Sequence, residues 1–211
     1  GTRVAIGARY NDARGHVRVY AESGGTWTQV GADIDGEAAD DSFGRSVSMS
    51  SNGTRVAIGA PGNDAGYARV YVESGGTWSQ VGVDIDGEAA GDECGRSVSI
   101  SSDGTRVAVG CDDADSYTGR VRVLAESDGT WTQVGANIDG EALGDKSGRS
   151  VSMSLDGTRV AIGAPRNQGT GSNAGHVRVY AESGGTWTQV GSDIDGEAVN
   201  DQSGYSVSMS S

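Results

Sequence analysis

Polar and apolar residues alternate along most of this chain in short runs, and the runs recur. Between Gly44 and Ser51, Val47 and Met49 fall on one side and Ser46, Ser48 and Ser50 on the other. Alternation with period two predicts a strand, A. Thr54–Ala60 predicts a second, B, after Asn52-Gly53. Asn-Gly between two such runs predicts a tight hairpin in which both turn residues take positive φ. Asp103-Gly104 and Asp156-Gly157 hold the same place elsewhere. Strand C is predicted at Tyr67–Tyr71, with equivalents at His16–Tyr20, Arg120–Leu124 and His176–Tyr180. A second tight turn follows at Gly24-Gly25, Gly75-Gly76, Asp128-Gly129 and Gly184-Gly185. It leads to strand D, which carries Trp27, Trp78, Trp131 or Trp187 and ends near Asp-Ile-Asp.

The whole pattern repeats. Gly-Thr-Arg-Val-Ala opens at Gly1, Gly53, Gly104 and Gly157, a period of about fifty residues. Four antiparallel strands per unit at this period predict β-propeller blades. The expected fold is all-β, a single four-bladed propeller over residues 1–211. The chain reads as B-C-D, three complete A-B-C-D units and a final A at Gly204–Ser211. Pairing Ser206–Ser210 with Thr2–Ala8 would complete the fourth blade and remove the exposed edges. A segment of a longer array would show the same order. Lacking an initiator Met, with Gly1 inside a repeat, the chain reads as processed, excised or truncated.

Gly-Arg-Ser-Val-Ser followed by Val-Ala-Ile-Gly-Ala-Pro resembles the FG-GAP repeat, the blade of integrin α-chain propellers. Phe43-Gly44 and Gly59-Ala60-Pro61 supply the FG and the GAP, and Gly163-Ala164-Pro165 repeats the second half. The resemblance implies A innermost and D outermost, and work outside the cell in adhesion or recognition. It also implies Ca²⁺ in an Asp-rich A–B loop, but here that loop is Ser51-Asn52-Gly53, Ser102-Asp103-Gly104 or Leu155-Asp156-Gly157. One carboxylate at most remains where Ca²⁺ wants six to eight oxygens, so that site is not carried over.

Composition narrows the partners. A net charge of −13 disfavours nucleic acid and anionic lipid. No apolar run is long enough for a membrane-spanning helix. Up-and-down strands place the B–C loops, 9–14, 61–65, 112–118 and 165–174, on one face with the D–A connections. These loops differ in length and are the expected docking site. The D–A connections repeat Asp35, Glu37 and Asp41; Asp86, Glu88 and Asp92; Asp139, Glu141 and Asp145; Asp195, Glu197 and Asp201. Each trio either holds Ca²⁺ or sets a turn, and its identity in all four units favours the turn. No other cofactor is indicated.

Cys94 and Cys111 lie near-diagonally across one A–B hairpin, summing to 205 where opposed residues sum to about 207. A disulfide and two buried thiols are the alternatives. Asn52-Gly53-Thr54 is an N-glycosylation sequon on an exposed turn. The four Trp suit inter-blade or outer-edge packing over sugar stacking. His16 and His176 share a position with Tyr67 and Arg120, which suits a half-exposed packing site over a catalytic base. No nucleophile or phosphate-loop motif is present. The expectation is a non-enzymatic extracellular module. It is either a building block of a surface fibre, appendage or matrix, self-assembling with further copies, or a domain that recognises a protein or glycan through the B–C loop face.

Overall fold

A computed structural model describes residues 2–62 and 64–210. Gly1, Asn63 and Ser211 lie outside it, and with them one position of the B–C loop 61–65 and the ends of the first and last repeats. The described chain is all-β and forms four antiparallel sheets in sequence order. The first holds β1 (Arg3–Ala8), β2 (His16–Ser23), β3 (Thr26–Gln29) and β4 (Ile34–Asp35). The second holds β5 (Ser46–Met49), β6 (Arg55–Ala60), β7 (Tyr67–Ser74), β8 (Thr77–Gln80) and β9 (Ile85–Asp86). The third holds β10 (Cys94–Ile100), β11 (Arg106–Cys111), β12 (Arg120–Ser127), β13 (Thr130–Gln133) and β14 (Ile138–Asp139). The fourth holds β15 (Ser150–Met153), β16 (Arg159–Ala164), β17 (His176–Ser183), β18 (Thr186–Gln189) and β19 (Ile194–Asp195).

Each complete sheet is the expected A-B-C-D meander, with two local differences. The outer strand is split: β8 pairs with the second half of β7, and β9 pairs with the first half, Tyr67↔Asp86. The turn chemistry is also exchanged. In the A–B connection Gly53 is left-handed at φ 71° but Asn52 is not. Asn52 Oδ1 instead accepts hydrogen bonds from Thr54 N, Thr54 Oγ1 and Ser50 Oγ, and Met49↔Val56 is the last ladder pair. Asp103 and Asp156 repeat the arrangement. The two-residue turn with both φ positive belongs to the C–D connection, where Gly75 and Gly76 stand at 58° and 84° between the paired Ser74 and Thr77.

The core lies between sheets. In β11, Val107, Val109 and Cys111 pack toward the second sheet with Ala57 and Val70, while Ala108 packs toward the fourth with Val151 and Ile162. Both faces of β11 are therefore buried, large residues on one side and small on the other. On the small side Gly59 lies against the backbone of Gly95, and a Cβ there would run into its carbonyl. Glycine is required because the next blade's A strand passes directly over it.

Polar contacts repeat at every junction. Ser46 Oγ donates to Gly95 O at 2.9 Å, and Ser97 and Ser150 do the same to Gly148 and Gly204. At the outer rim the reach is longer: Trp78, Trp131 and Trp187 Nε1 donate to Val30, Val81 and Val134 O, each at 2.8 Å. A one-carbon side chain spans successive A strands, whereas an indole is needed between D strands, so the sheets fan out from the A strands. Arg3–Glu73, Arg55–Glu126 and Arg106–Glu182 join B to C strands at 3.0, 2.9 and 3.1 Å.

The clasp expected between Ser206–Ser210 and Thr2–Ala8 is not formed. Among the described residues no ladder joins them, and 204–210 has no strand partner. Val4 and Ile6 of β1 are 37% and 51% exposed, where their counterparts Val56 and Ile58 are 0%. Val56 and Ile58 are covered by Val17 and Ile34 of the preceding sheet, and among the described residues no sheet covers the matching face of β1.

Cys94 and Cys111 are joined as a disulfide, with Cα atoms 3.9 Å apart. They are directly opposed and not diagonal: a bulge between Cys94 and Ser97 shifts the register by the two positions that separated their sum from 207. Intact mass is expected to rise by two protons on reduction under denaturing conditions. Trp131→Phe, which keeps a ring but loses the bond to Val81, is expected to cost about 1 kcal/mol. Trp131→Ala is expected to cost about 3 kcal/mol in urea unfolding.

Candidate functional site

The B–C loops and the D–A connections share one face, because each A strand begins where its B partner ends, as in Ser46↔Gly59. The D–A carboxylates on this face are occupied individually. Asp41 and Asp145 are buried and cap their own loops, accepting from Ala38 N at 2.9 Å and Ala142 N at 3.0 Å. Asp92 accepts from both Glu88 N and Ala89 N, and the exposed Asp201 from Ala198 N. Glu37, Glu88 and Glu141 reach across to Arg69, Arg120 and Arg178 of the following sheet. Asp35, Glu37 and Asp41 thus serve different partners, and no D–A trio converges among the described residues.

Three other groups do bring their ligating atoms together: His16, Asp33 and Asp35; Glu141, His176 and Asp193; and Glu93, Asp112 and Asp113. The histidines are buried, at 7% and 1% exposure, and not half-exposed as their interchange with Tyr and Arg suggested. His176 Nδ1 lies 3.4 Å from Asp193. The third group is already neutralised by cations. Lys146 pairs with Asp113, Arg149 lies 3.3 Å and Arg96 3.7 Å from Asp112, and Arg96 reaches Glu93 at 3.4 Å.

Those cations belong to a larger feature. Arg45, Arg96 and Arg149 each follow the glycine that opens an A strand, and Tyr205 takes the fourth place. The serine next to each arginine is bonded to the glycine before the next, so the three guanidinium stems stand on neighbouring inner strands. Arg149 Nη2 donates to Tyr205 Oη at 2.9 Å. Arg9, from the first B–C loop, stacks 4.3 Å over the exposed Tyr10. Among the described residues neither Arg9 nor Arg45 has a carboxylate partner within 4 Å. Burial and the like charges of Arg96 and Arg9 pull the Arg45 guanidinium below its usual range. A protein of net charge −13 thus gathers four arginines and two tyrosines at the inner rim of its loop face.

Sequence reasoning missed this arc. The repeated Gly-Arg-Ser was its signal, together with the change to Gly-Tyr at 204–205. Trp78, Trp131 and Trp187 sit in blade junctions and not on this face. Asn52 is exposed on the opposite face, its Oδ1 spent on the turn.

Residues 31–72 match the FG-GAP repeat family. No curated protein sequence matches the chain. Among solved structures, a proposed 6-phosphogluconolactonase from Bacteroides uniformis aligns with a TM-score of 0.61 at 14% identity, over 85% of this chain and 48% of that one. A second, from Bacteroides fragilis, aligns at 0.59 and 11%, over 92% and 55%. TolB from Acinetobacter baumannii aligns at 0.54 and 14%, over 89% and 40%. At these identities the likeness is one of fold, a β-propeller. The chain spans about half the length of the structures it matches.

Asp112 makes the arc sensitive to pH. Its side chain is fully buried and Oδ1 has no partner. Burial outweighs the pull of Arg96 and Lys146 and raises it to about 6. The folded protein therefore holds a proton that the unfolded chain releases near pH 4. Stability from this group is full below that value and is lost as pH rises to about 6. Asp112→Asn is expected to gain stability relative to the parent between pH 4 and pH 7, by about 2 to 3 kcal/mol, read by urea unfolding at both pH values.

Proposed function

We propose that this FG-GAP-repeat propeller is a non-enzymatic extracellular module that binds a carboxylate-bearing glycan at the arginine arc of its loop face. The observation that carries the reading is the placement of Arg9, Arg45, Arg96 and Arg149 at one rim, two of them without an acidic partner among the described residues. Guanidinium and carboxylate pair through two parallel hydrogen bonds, stronger than neutral ones. Arginines repeated from blade to blade suit an anion that itself repeats, as in a polyuronate. Tyr10 and Tyr205 offer rings against which sugar faces stack. The surrounding negative charge repels such a ligand at long range, so recognition is local and screened by salt.

The Cys94–Cys111 disulfide favours an oxidising compartment, outside the cytosol. A glycan on Asn52 belongs to the same reading, on the face away from the arc. The non-enzymatic part of the reading rests on the sequence, which carries no Gly-x-Ser-x-Gly nucleophile and no phosphate-loop motif. The likeness to lactonase folds adds no catalytic group to it. A building block of a surface fibre, appendage or matrix is the second reading, and the same contacts repeated at each sheet junction favour it.

Oligogalacturonate titrated into the protein is expected to bind, and a neutral oligosaccharide of equal length is not. Arg45→Ala and Arg149→Ala should each weaken binding about tenfold, the loss of one charge-assisted pair. Below pH 6 protonation of Asp112 releases Arg149 and leaves Arg96 with Glu93 alone, so binding tightens as pH falls from 7 to 5. Asp112→Asn should bind tightly at both values. Calorimetry with no heat for the uronate, or equal heat for both sugars, removes the reading.

A further inference from the structure

The residue that opens each C strand at an internal junction faces the D–A connection of the sheet before it, and the three junctions use it differently. At the first, Tyr67 donates its hydroxyl to Asp41 at 2.9 Å. At the second, Arg120 pairs with Glu88. At the third, His176 takes the place and is 1% exposed. Here Asn167, from the B–C loop 165–174, donates to Asp145 at 3.0 Å, as Tyr67 does to Asp41. The imidazole is left with Nε2 buried and without a hydrogen-bond partner.

The carboxylates around His176 are rearranged to match. Asp33 and Asp84 are each held by the arginine of their own C strand, Arg18 and Arg69, at 2.9 and 2.7 Å. In the fourth sheet that arginine, Arg178, turns instead to Asp139 O at 2.9 Å and to Glu141 at 3.3 Å. Asp193 is thus without its arginine among the described residues. Gln189 Nε2 donates to its Oδ1 at 2.6 Å, and Oδ2 lies 3.4 Å from His176 Nδ1. Glu141 reaches in from the third sheet's D–A connection. The three residues bring one ligating atom each within 4.8 Å of one another, across an internal junction.

We infer that Glu141, His176 and Asp193 bind one Zn²⁺ between the third and fourth sheets. Tetrahedral zinc, with bonds of about 2.0 to 2.1 Å, separates its ligand atoms by about 3.4 Å. His176 Nδ1 and Asp193 Oδ2 already stand at that distance. The Glu141 side chain is 47% exposed, so it can swing in to complete the set. Two carboxylates outweigh the one guanidinium beside them, Arg178, and leave net negative charge for a cation. An imidazole ligand selects a first-row transition ion over Ca²⁺ or Mg²⁺, which take oxygen. Gln189 orients the ligating Asp193, while Nε2 lacks the outer partner that supports most metal-bound imidazoles, a difference of about 10- to 100-fold in affinity. Micromolar binding follows, with the fourth position open to water. His16 does not duplicate the site, because Asp33 of its group is already neutralised by Arg18. Cys94 and Cys111 are joined and offer no thiolate. The bound ion would link the third sheet's D–A connection to the fourth sheet, independently of uronate binding at the arc.

The test is calorimetric titration of Zn²⁺ at pH 7 into the full 211-residue chain, stripped with EDTA and desalted, beside urea unfolding with and without the ion. One Zn²⁺ per chain is expected, and a urea midpoint that rises with zinc, because the ion binds the folded protein. Ca²⁺ at the same concentration should move neither. Asp193→Asn should weaken zinc binding about tenfold or more while keeping the parent's circular dichroism. Asparagine is already accommodated at this position in the third sheet, where Gln133 Nε2 donates to Asn137 Oδ1 at 2.9 Å. His176→Ala should abolish binding, and His16→Ala should leave it unchanged. If the buried His176→Ala does not fold, Asp193→Asn decides. A parent that takes up no zinc overturns the inference. So does zinc binding that survives Asp193→Asn undiminished, or that is lost in a folded His16→Ala. Equal protection by Ca²⁺ also overturns it, as the mark of screening at an acidic surface.

Discussion

The close approach of successive A strands over the small side of each B strand is the constraint on which the remaining structure depends. Gly59, Gly110 and Gly163 leave room for the backbones of Gly95, Gly148 and Gly204, and a single Cβ would push the blades apart. That approach brings Ser46 and Ser97 within reach of the next strand's carbonyls and buries the valines between sheets. Each fully buried Val is worth about 1.5 to 3 kcal/mol, so the junctions carry most of the apolar stabilisation in a chain with one Phe. The indole-to-carbonyl bonds and the arginine–glutamate pairs then set the angle of the fan at its outer rim.

Stacking of this kind is nearest-neighbour in character. Each sheet is stabilised by the faces of two neighbours, and the first and fourth sheets have one neighbour each among the described residues. The contrast between Ile6 and Ile58 measures what that difference means for one side chain. It also explains why the charged residues look so different from blade to blade. Glu73, Glu126 and Glu182 are held below the usual carboxylate range by a backbone N–H and by an arginine of the preceding sheet.

Much of this was legible in the residues. The alternation at Ser46–Met49 and Arg55–Ala60, the Gly-Gly turns and the period of fifty all lead to strands that are present. Other points were not. Asn52-Gly53 looks like a two-residue turn, but the Asn side chain satisfies the loop's own N–H groups, and Asn52 has no need of a positive φ. The outer strand reads as continuous from Trp78 to Asp86, yet it splits because Tyr67–Ser74 is long enough to pair with two short segments in turn. The cysteines look diagonal because a bulge leaves no mark in a count of residues.

The amino-acid pattern alone determined what is local or periodic: strand identity, strand order, the four units and the sites where glycine must turn the chain. Alternation and spacing act within a few residues, and a repeat copies them. Tertiary structure alone decided where repeated residues meet. A residue repeated on the inner strands converges with its copies, as Arg45, Arg96 and Arg149 do, whereas one repeated on the outer strands diverges. Identical residues about fifty positions apart therefore become either scaffold or site according to their distance from the inner A strands. Only the packing of the blades sets that distance, along with the fate of the outermost edges.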